Sequence, residues 1–236
     1  MSSPIIVALD LERDAAIQLS SRLDPNLCKL KVGNELFTSS GPQVVLDLKS
    51  KGFDIFLDLK FHDIPNTVAS AVREACELGV WMVNVHASGG SKMMASAADT
   101  MLDYESKPIL IGVTVLTSIG EDEASSIGIN HIESHTLSLA KLAKQSGLDG
   151  IVCSPQEVKK IKEDCGNDFI AVTPGIRPSN TEDDQTRIST PKQAIANGSD
   201  YLVIGRPITR SADPLASLKS IPVSYTHLTL PTTPYV

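Results

Sequence analysis

Eight short runs rich in β-branched and other apolar residues recur along this chain, with helical patterns in the gaps between them. They cover residues 5–10, 28–33, 54–60, 81–87, 109–116, 150–154, 169–175 and 201–206. Most are apolar throughout, as strands covered on both faces of a parallel sheet must be. Apolar residues at helical spacing mark residues 14–23, 42–51, 66–78, 135–145 and 155–162. Gly79 and Gly147 stand where helix C-caps would fall. Seven intervals of about 28 residues separate Asp10 from Arg206, which is the rhythm of strand–helix units closing into an eight-stranded (β/α)8 barrel, a TIM barrel. A doubly wound open sheet is built from the same units. The count of eight, and the absence of a GxGxxG after the first run, favour the barrel.

The chain has 236 residues, 42% hydrophobic and 21% charged, enough for a single domain with one sizeable core. The net charge of -7 comes without a Lys/Arg run or aromatic–basic interleaving, which speaks against a nucleic-acid partner. The apolar start at residues 4–9 is too short for a signal sequence, and no apolar run reaches the length of a membrane span. Cys28, Cys76, Cys153 and Cys165 are scattered without a CxxC pair, so buried thiols in a reducing cytoplasm are expected. Residues 118–130 and 178–189 read as polar loops long enough to bind or to close over a ligand. A last helix begins at residues 213–219 and is expected to stop abruptly. The barrel domain is therefore assigned to residues 1–221. Residues 222–236, rich in Pro and Thr and without charge, are expected to be a foreign tail outside the fold.

The third run carries the densest chemistry. Asp58-Leu-Lys60-Phe-His-Asp63 packs two carboxylates and an ammonium into six residues where a strand runs out. Asp58 and Lys60 are two apart and share one face, opposite Ile55, Leu57 and Leu59. Pro65 suits the first turn of the helix that follows. An acid–base–acid array at a strand end can place charge beside a reacting carbon. A solvated ion pair of small energetic weight is the plainer alternative.

In a barrel of this kind the active site lies at the C-terminal ends of the strands, and the polar residues gather there. They are Asp10, Lys31, Asp58 with Lys60, His86, Thr117 with Ser118, Ser154, Arg177, and Gly205 with Arg206. Lys31 interrupts an apolar strand, which disfavours a casual surface role. Asp10 has the alternative of capping the first helix, and Ser154 before Pro155 reads as a cap. Thr117 is open between site and surface. His86 reads as a structural histidine as readily as a ligand and stays outside the catalytic set. Gly205 and Arg206 fall where this fold holds phosphate, with Arg177 as a second guanidinium and Gln185 as a further donor. No metal-ligand cluster and no cofactor fingerprint is visible. The residues describe a cofactor-free barrel enzyme acting on a small phosphorylated molecule.

The segments Val-Ala-Leu-Asp10, Leu-Lys31-Val-Gly, Asp58-Leu-Lys60-Phe-His-Asp63-Ile-Pro-Asn-Thr67, Asn84-Val-His-Ala, Val-Thr-Val-Leu-Thr117-Ser, Thr173-Pro-Gly-Ile-Arg177-Pro and Val-Ile-Gly205-Arg206-Pro together resemble the bacterial orotidine 5′-phosphate decarboxylase family over about residues 4–221. The resemblance implies decarboxylation of orotidine 5′-phosphate to uridine 5′-phosphate without metal or cofactor, by a cytoplasmic homodimer. It implies that Lys60 protonates C6 within a network of Lys31, Asp58, Lys60 and Asp63. Asp63, Ile64 and Thr67 would complete the partner subunit's site. Asp10 and Lys31 would bind ribose hydroxyls, and Thr117 or Ser118 would lie at the pyrimidine. Arg177, Gln185, Gly205 and Arg206 would hold the phosphate. Three rivals remain at this stage: a Mg-dependent decarboxylase of β-keto sugar phosphates on the same barrel, a Schiff-base aldolase, and a non-catalytic barrel that binds a phosphorylated ligand. Lys31 disfavours the first, where an acidic metal ligand replaces it. Flanking aspartates disfavour the second by raising a lysine's pKa.

Overall fold

The computed structural model describes residues 3–177 and 189–226, with side chains up to 221. In chain order its elements are β1 (Ile5–Ala8), α1 (Arg13–Ser20), β2 (Lys29–Gly33), α2 (Asn34–Ser40), α3 (Gln43–Ser50), β3 (Ile55–Phe61), α4 (Pro65–Glu77), β4 (Met82–His86), α5 (Ser91–Thr100), β5 (Ile109–Val113), α6 (Glu121–Ser126), α7 (Ile132–Gln145), β6 (Gly150–Val152), α8 (Val158–Cys165), β7 (Ile170–Thr173), α9 (Pro191–Ala196), β8 (Tyr201–Ile204), α10 (Arg206–Thr209) and α11 (Pro214–Thr226). The strands form a closed barrel in the order β1 to β8. Each pairs in parallel with the next, and β8 returns to β1 with Ile6 opposite Val203. The architecture is the expected (β/α)8 barrel. All eight runs are strands, most of them shorter than expected by one to three residues, while β3 runs one residue further, to Phe61.

Alternation along the strands separates two cores. Ile6, Ala8, Phe56, Met82, Ile111, Val172 and Val203 point inward and fill the barrel. Their neighbours Ile5, Val7, Leu30, Val32, Ile55 and Leu57 point outward against the helices, meeting Val44, Val45 and Leu48 of α3 and Val68 and Val72 of α4. Most strands are thus apolar on both sides and read as continuous runs, while β2 turns Lys29 and Lys31 inward. Burying one Val, Leu or Ile side chain contributes about 1.5–3 kcal/mol as an upper estimate. The floor of the barrel is sealed by Lys29, whose ammonium lies 4.8 Å from the Trp81 ring centre and 5.7 Å from that of Tyr201.

Local chemistry sets the element ends. Pro65 opens α4 at its first turn, as the sequence predicts. Gly79 (φ 62°) and Gly147 (φ 85°) lie just beyond α4 and α7 in the left-handed region, as expected of helix C-caps. All four cysteines are buried, and burial raises the Cys28 thiol to about 12. Two expectations are corrected. Residues 118–130 are not all loop, because α6 occupies Glu121–Ser126. Its first turn is Glu121, Asp122 and Glu123, which suits the positive end of a helix dipole, but only Ala124 is buried and no apolar period is visible. The last helix does not stop near residue 219. It runs from Pro214 to Thr226, with Leu218 and Ile221 buried, and so overlaps the start of the expected tail.

Candidate active site

The C-terminal mouth of the barrel holds a cavity of about 250 Å³. Its base is the inner core, with Ala8, Phe56, Val113, Val152 and Val203 in the wall. Above them the wall carries Asp10, Lys31, Asp58, Lys60, Thr117, Arg177, Gly205 and Arg206. Eight residues singled out in the sequence are thereby brought to one space from six strand ends.

A charged chain crosses the cavity. Lys31 Nζ lies 3.0 Å from Asp10 Oδ1 and 3.1 Å from Asp58 Oδ2, and Lys60 Nζ lies 2.7 Å from Asp58 Oδ1. Asp10 therefore serves Lys31 and leaves α1 uncapped by any side chain. Lys31 and Asp58 are buried, at 8% and 7% exposure, so water screens them weakly. Burial works against the charge on Lys31, yet Asp58 and Asp10 outweigh it, and its pKa lies above the ordinary lysine value. Burial also opposes charge on Asp58. Lys31 and Lys60, with hydrogen bonds from Lys60 and Asn84, outweigh it and hold the carboxyl below its ordinary range. The outcome is an alternating row of fixed charges inside a low-dielectric wall, the setting in which electrostatic preorganisation is strongest. Gly33 belongs to this arrangement, because a Cβ there would sit 3.1 Å from Lys31 Nζ.

The strand is deformed to deliver Lys60. On β3 and β4, Leu57 pairs with Val83 and Phe61 with Val85, so Asp58, Leu59 and Lys60 stand against Asn84 alone. Lys60 is the one non-glycine residue with positive φ (53°) among the described residues. Such a conformation costs about 1–2 kcal/mol and needs support from its surroundings. Asn84 is fully buried and supplies it. Its Oδ1 accepts the Lys60 N–H at 2.8 Å, and its Nδ2 donates to Asp58 Oδ1 at 2.6 Å. The sequence carried a signal for this residue, a lone amide in an apolar strand, of the same kind that marked Lys31.

Across the mouth, Arg177 is buried and shares the cavity wall with Gly205, Arg206, Pro174 and Gly175. Glycine at 205 leaves the wall open, since a Cβ there would have its nearest contact at 3.7 Å, on Ala8. Thr117 lines the cavity, whereas Ser118 is exposed and does not. Gln185 and most of the expected closing loop fall outside the described residues. Asp63, Ile64 and Thr67 are exposed at the start of α4 and do not line the cavity of their own chain. Asp63 Oδ1 accepts the Ile64 N–H at 2.6 Å, and the Ile64 side chain is 67% exposed. His86 is half-buried beside His62, with ring centres 5.3 Å apart, and lies outside the cavity wall. Burial, His62 and Lys60 lower its pKa. Ser154 stabilises the turn before α8, its Oγ accepting the Gln156 N–H at 3.4 Å.

The family model described as "Orotidine 5'-phosphate decarboxylase / HUMPS family" matches residues 3–221. The chain belongs to this family. It is 55% identical over 220 residues to the orotidine 5′-phosphate decarboxylase of Saccharophagus degradans, covering 92% of each chain. It is 57% identical over 218 residues to that of Legionella pneumophila, covering 91% of this chain and 95% of the relative. The crystal structure of orotidine 5′-phosphate decarboxylase from Lactobacillus acidophilus superposes with a TM-score of 0.85 at 43% identity, covering 95% of this chain and 99% of that one.

Proposed function

We propose that this member of the decarboxylase family converts orotidine 5′-phosphate to uridine 5′-phosphate and CO₂, the last step of de novo UMP formation, with Lys60 at the reacting carbon. The observation that carries the reading is the Asp10–Lys31–Asp58–Lys60 chain at the barrel mouth, set across one cavity from Arg177 and Arg206. Loss of CO₂ from C6 leaves a lone pair in the plane of the pyrimidine, where the ring π system cannot take it up. The protein must then provide fixed positive charge at that carbon and afterwards a proton. The Lys60 ammonium does both. Asp58 orients Lys60, and its charge lies where the departing carboxylate leaves. Lys31 and Asp10 bind the ribose hydroxyls, and Thr117 lies towards the pyrimidine. Arg177, Gly205 and Arg206 hold the phosphate, with Gln185 as a further donor. This remote grip contributes to the barrier-lowering by fixing the substrate in the closed, water-excluded site.

The same reading makes the working unit a homodimer in the cytoplasm. Among the described residues no helix is long and apolar enough to cross a membrane. Asp63, Ile64 and Thr67 present an acid, an exposed apolar side chain and a hydroxyl at the start of α4, beside a mouth they do not enter. In a two-fold dimer such an edge completes the neighbouring site. The Mg-dependent sugar-phosphate rival is disfavoured because both Asp58 oxygens already face ammonium groups, and the relatives reported above carry the orotidine activity by name.

Purified protein given orotidine 5′-phosphate with excess chelator is expected to release CO₂ and uridine 5′-phosphate in equal amounts. A folded protein that binds the nucleotide without turnover would return the account to a binding barrel, and turnover abolished by chelator would favour the metal-dependent relative. Mixing inactive Lys60→Ala and Asp63→Asn subunits tests the dimer. One site of each mixed pair is then intact, so about a quarter of wild-type activity should reappear after random exchange. No recovery after demonstrated subunit exchange would contradict a shared site.

A further inference from the structure

Three observations converge on one buried amide. The ladder between β3 and β4 slips so that Asp58, Leu59 and Lys60 face Asn84 alone. Lys60 sits in a left-handed conformation, φ 53°, that a residue with a side chain rarely holds. Asn84 is fully buried and contacts both members of the Asp58–Lys60 pair, at the Lys60 N–H and at Asp58 Oδ1. A half-buried N–H freed from the ladder by the slip needs another acceptor, and Asn84 Oδ1 is that acceptor. The amide has one orientation here. Turned over, it would set its NH₂ against the Lys60 N–H and its carbonyl against the Asp58 carboxylate, losing both bonds.

We propose that Asn84 is a positioning residue for the decarboxylation, fixing Lys60 through its backbone and Asp58 through its side chain so that the ammonium is aimed at the reacting carbon. The inference rests on the decarboxylase reading above. Asn84 lies outside the cavity wall, so it acts through Lys60 and Asp58 rather than by touching substrate. With the amide removed, the Lys60 peptide loses the bond that holds its left-handed turn. Asp58 Oδ1 then keeps only the mobile lysine as a donor, and the two relax together. A catalytic group displaced by about 1 Å typically costs about 10²-fold in rate. Substrate affinity, set on the opposite wall by Arg177 and Arg206, has no reason to change in proportion.

The test compares wild type, Asn84→Ala and Asn84→Asp for kcat, KM, affinity for uridine 5′-phosphate, and the pH dependence of kcat. Asn84→Ala is expected to lower kcat by about 10²-fold. KM and product affinity should stay within about threefold, because the phosphate grip is intact. In Asn84→Asp the new carboxyl faces Asp58 at hydrogen-bond distance, so the pair resists full ionisation. Protonated, it donates to Asp58 and accepts from the Lys60 N–H as the amide does. Ionised, it repels Asp58. Its kcat should therefore approach the wild-type value at acid pH and fall as pH rises, while Asn84→Ala shows no such recovery. The other charged groups facing this pair are Lys31 on β2, Lys60 on β3, Asp10 after β1 and His86 on β4, and all are unchanged in both variants. Loss of activity in step with loss of folded protein, or of nucleotide affinity, would overturn the proposal, as would an Asn84→Asp profile parallel to that of Asn84→Ala. If Asn84→Ala does not fold, the Asn84→Asp profile decides. If neither folds, the amide is a folding residue and the proposal is wrong. Absence of turnover in wild type would instead remove the decarboxylase reading itself.

Discussion

Lys29 and Lys31 lie two residues apart on β2, both buried and both on the inner face of the barrel, yet their surroundings drive them in opposite directions. Lys29, at the floor, is caged by the Trp81 and Tyr201 rings, donates to the Ser3 carbonyl at 3.3 Å and has its nearest carboxylate, Asp54, at 3.9 Å. Burial dominates there and its pKa is lowered. Lys31, at the mouth, has carboxylate oxygens of Asp10 and Asp58 at 3.0 and 3.1 Å, which overcome its burial and raise its pKa. A cation surrounded by aromatic faces and one carbonyl plugs the barrel. The same cation between two carboxylates becomes part of a charge array lining the cavity at the mouth. What distinguishes them is the depth along the strand, hence which neighbouring strands' residues they meet.

The comparison breaks if the two lysines are functionally alike. Lys31→Met is expected to lower kcat/KM by about 10³-fold, since it removes a charge-assisted partner of Asp58 and the proposed ribose contact. Lys29→Met should leave kcat/KM within about threefold, because its charge lies on the far side of the inner core. Equal losses measured by steady-state turnover would show that the floor and the mouth are not separate. Next in size is Arg206→Ala, expected to reduce kcat/KM by about 10²-fold although its proposed place is at the phosphate, away from the reacting carbon. An unchanged kcat/KM would refute the remote phosphate grip.

Alkaline denaturation sharpens the contrast on the stability side. Lys31 binds its proton more tightly folded than unfolded. It therefore contributes stability that is fully present below the unfolded value of about 10.4 and is lost as pH rises through the higher folded value. Lys29 has the opposite sign. The unfolded chain holds that proton more tightly, so between its lowered folded pKa and about 10.4 stability rises with pH. Urea titrations between pH 8 and 11 should show Lys31→Met flattening the alkaline fall and Lys29→Met removing the rise below it. Slopes of the same sign in both variants would contradict the opposed environments. The smallest effect is expected from deleting residues 222–236, which should move Tm by no more than about 2 °C, because the buried contacts of α11 described here, Leu218 and Ile221, precede the cut. A drop of about 10 °C would make the tail part of the fold.

The same pair of lysines shows what a sequence can reveal about such a site. The eight strands were legible because burial on both faces removes polar residues from them, so each exception stands out. Lys31 was such an exception and marked the site. Lys29 is an equal exception and marks only the floor, so an inward charge alone does not separate chemistry from sealing. Asn84 was a third exception, and its meaning depends on a slipped ladder that no spacing rule predicts. Asp10 had two readings that one distance decides, 3.0 Å to Lys31. The helix α6 was hidden because a surface helix with Ala124 as its one buried residue has no apolar stripe. The extension of α11 to Thr226 was hidden by Pro222, which reads as a stop although the backbone continues through it.

The most direct test of the account is the single-turnover rate of orotidine 5′-phosphate decarboxylation by wild type and Lys60→Ala, in excess chelator and at matched saturation. Lys60 is assigned both the positive charge at C6 and the proton, so its loss should slow the step by about 10⁵-fold while the folded protein still binds uridine 5′-phosphate. A Lys60→Ala enzyme within about tenfold of wild type would place the chemistry elsewhere in the barrel and contradict the role given to the Asp58–Lys60 pair.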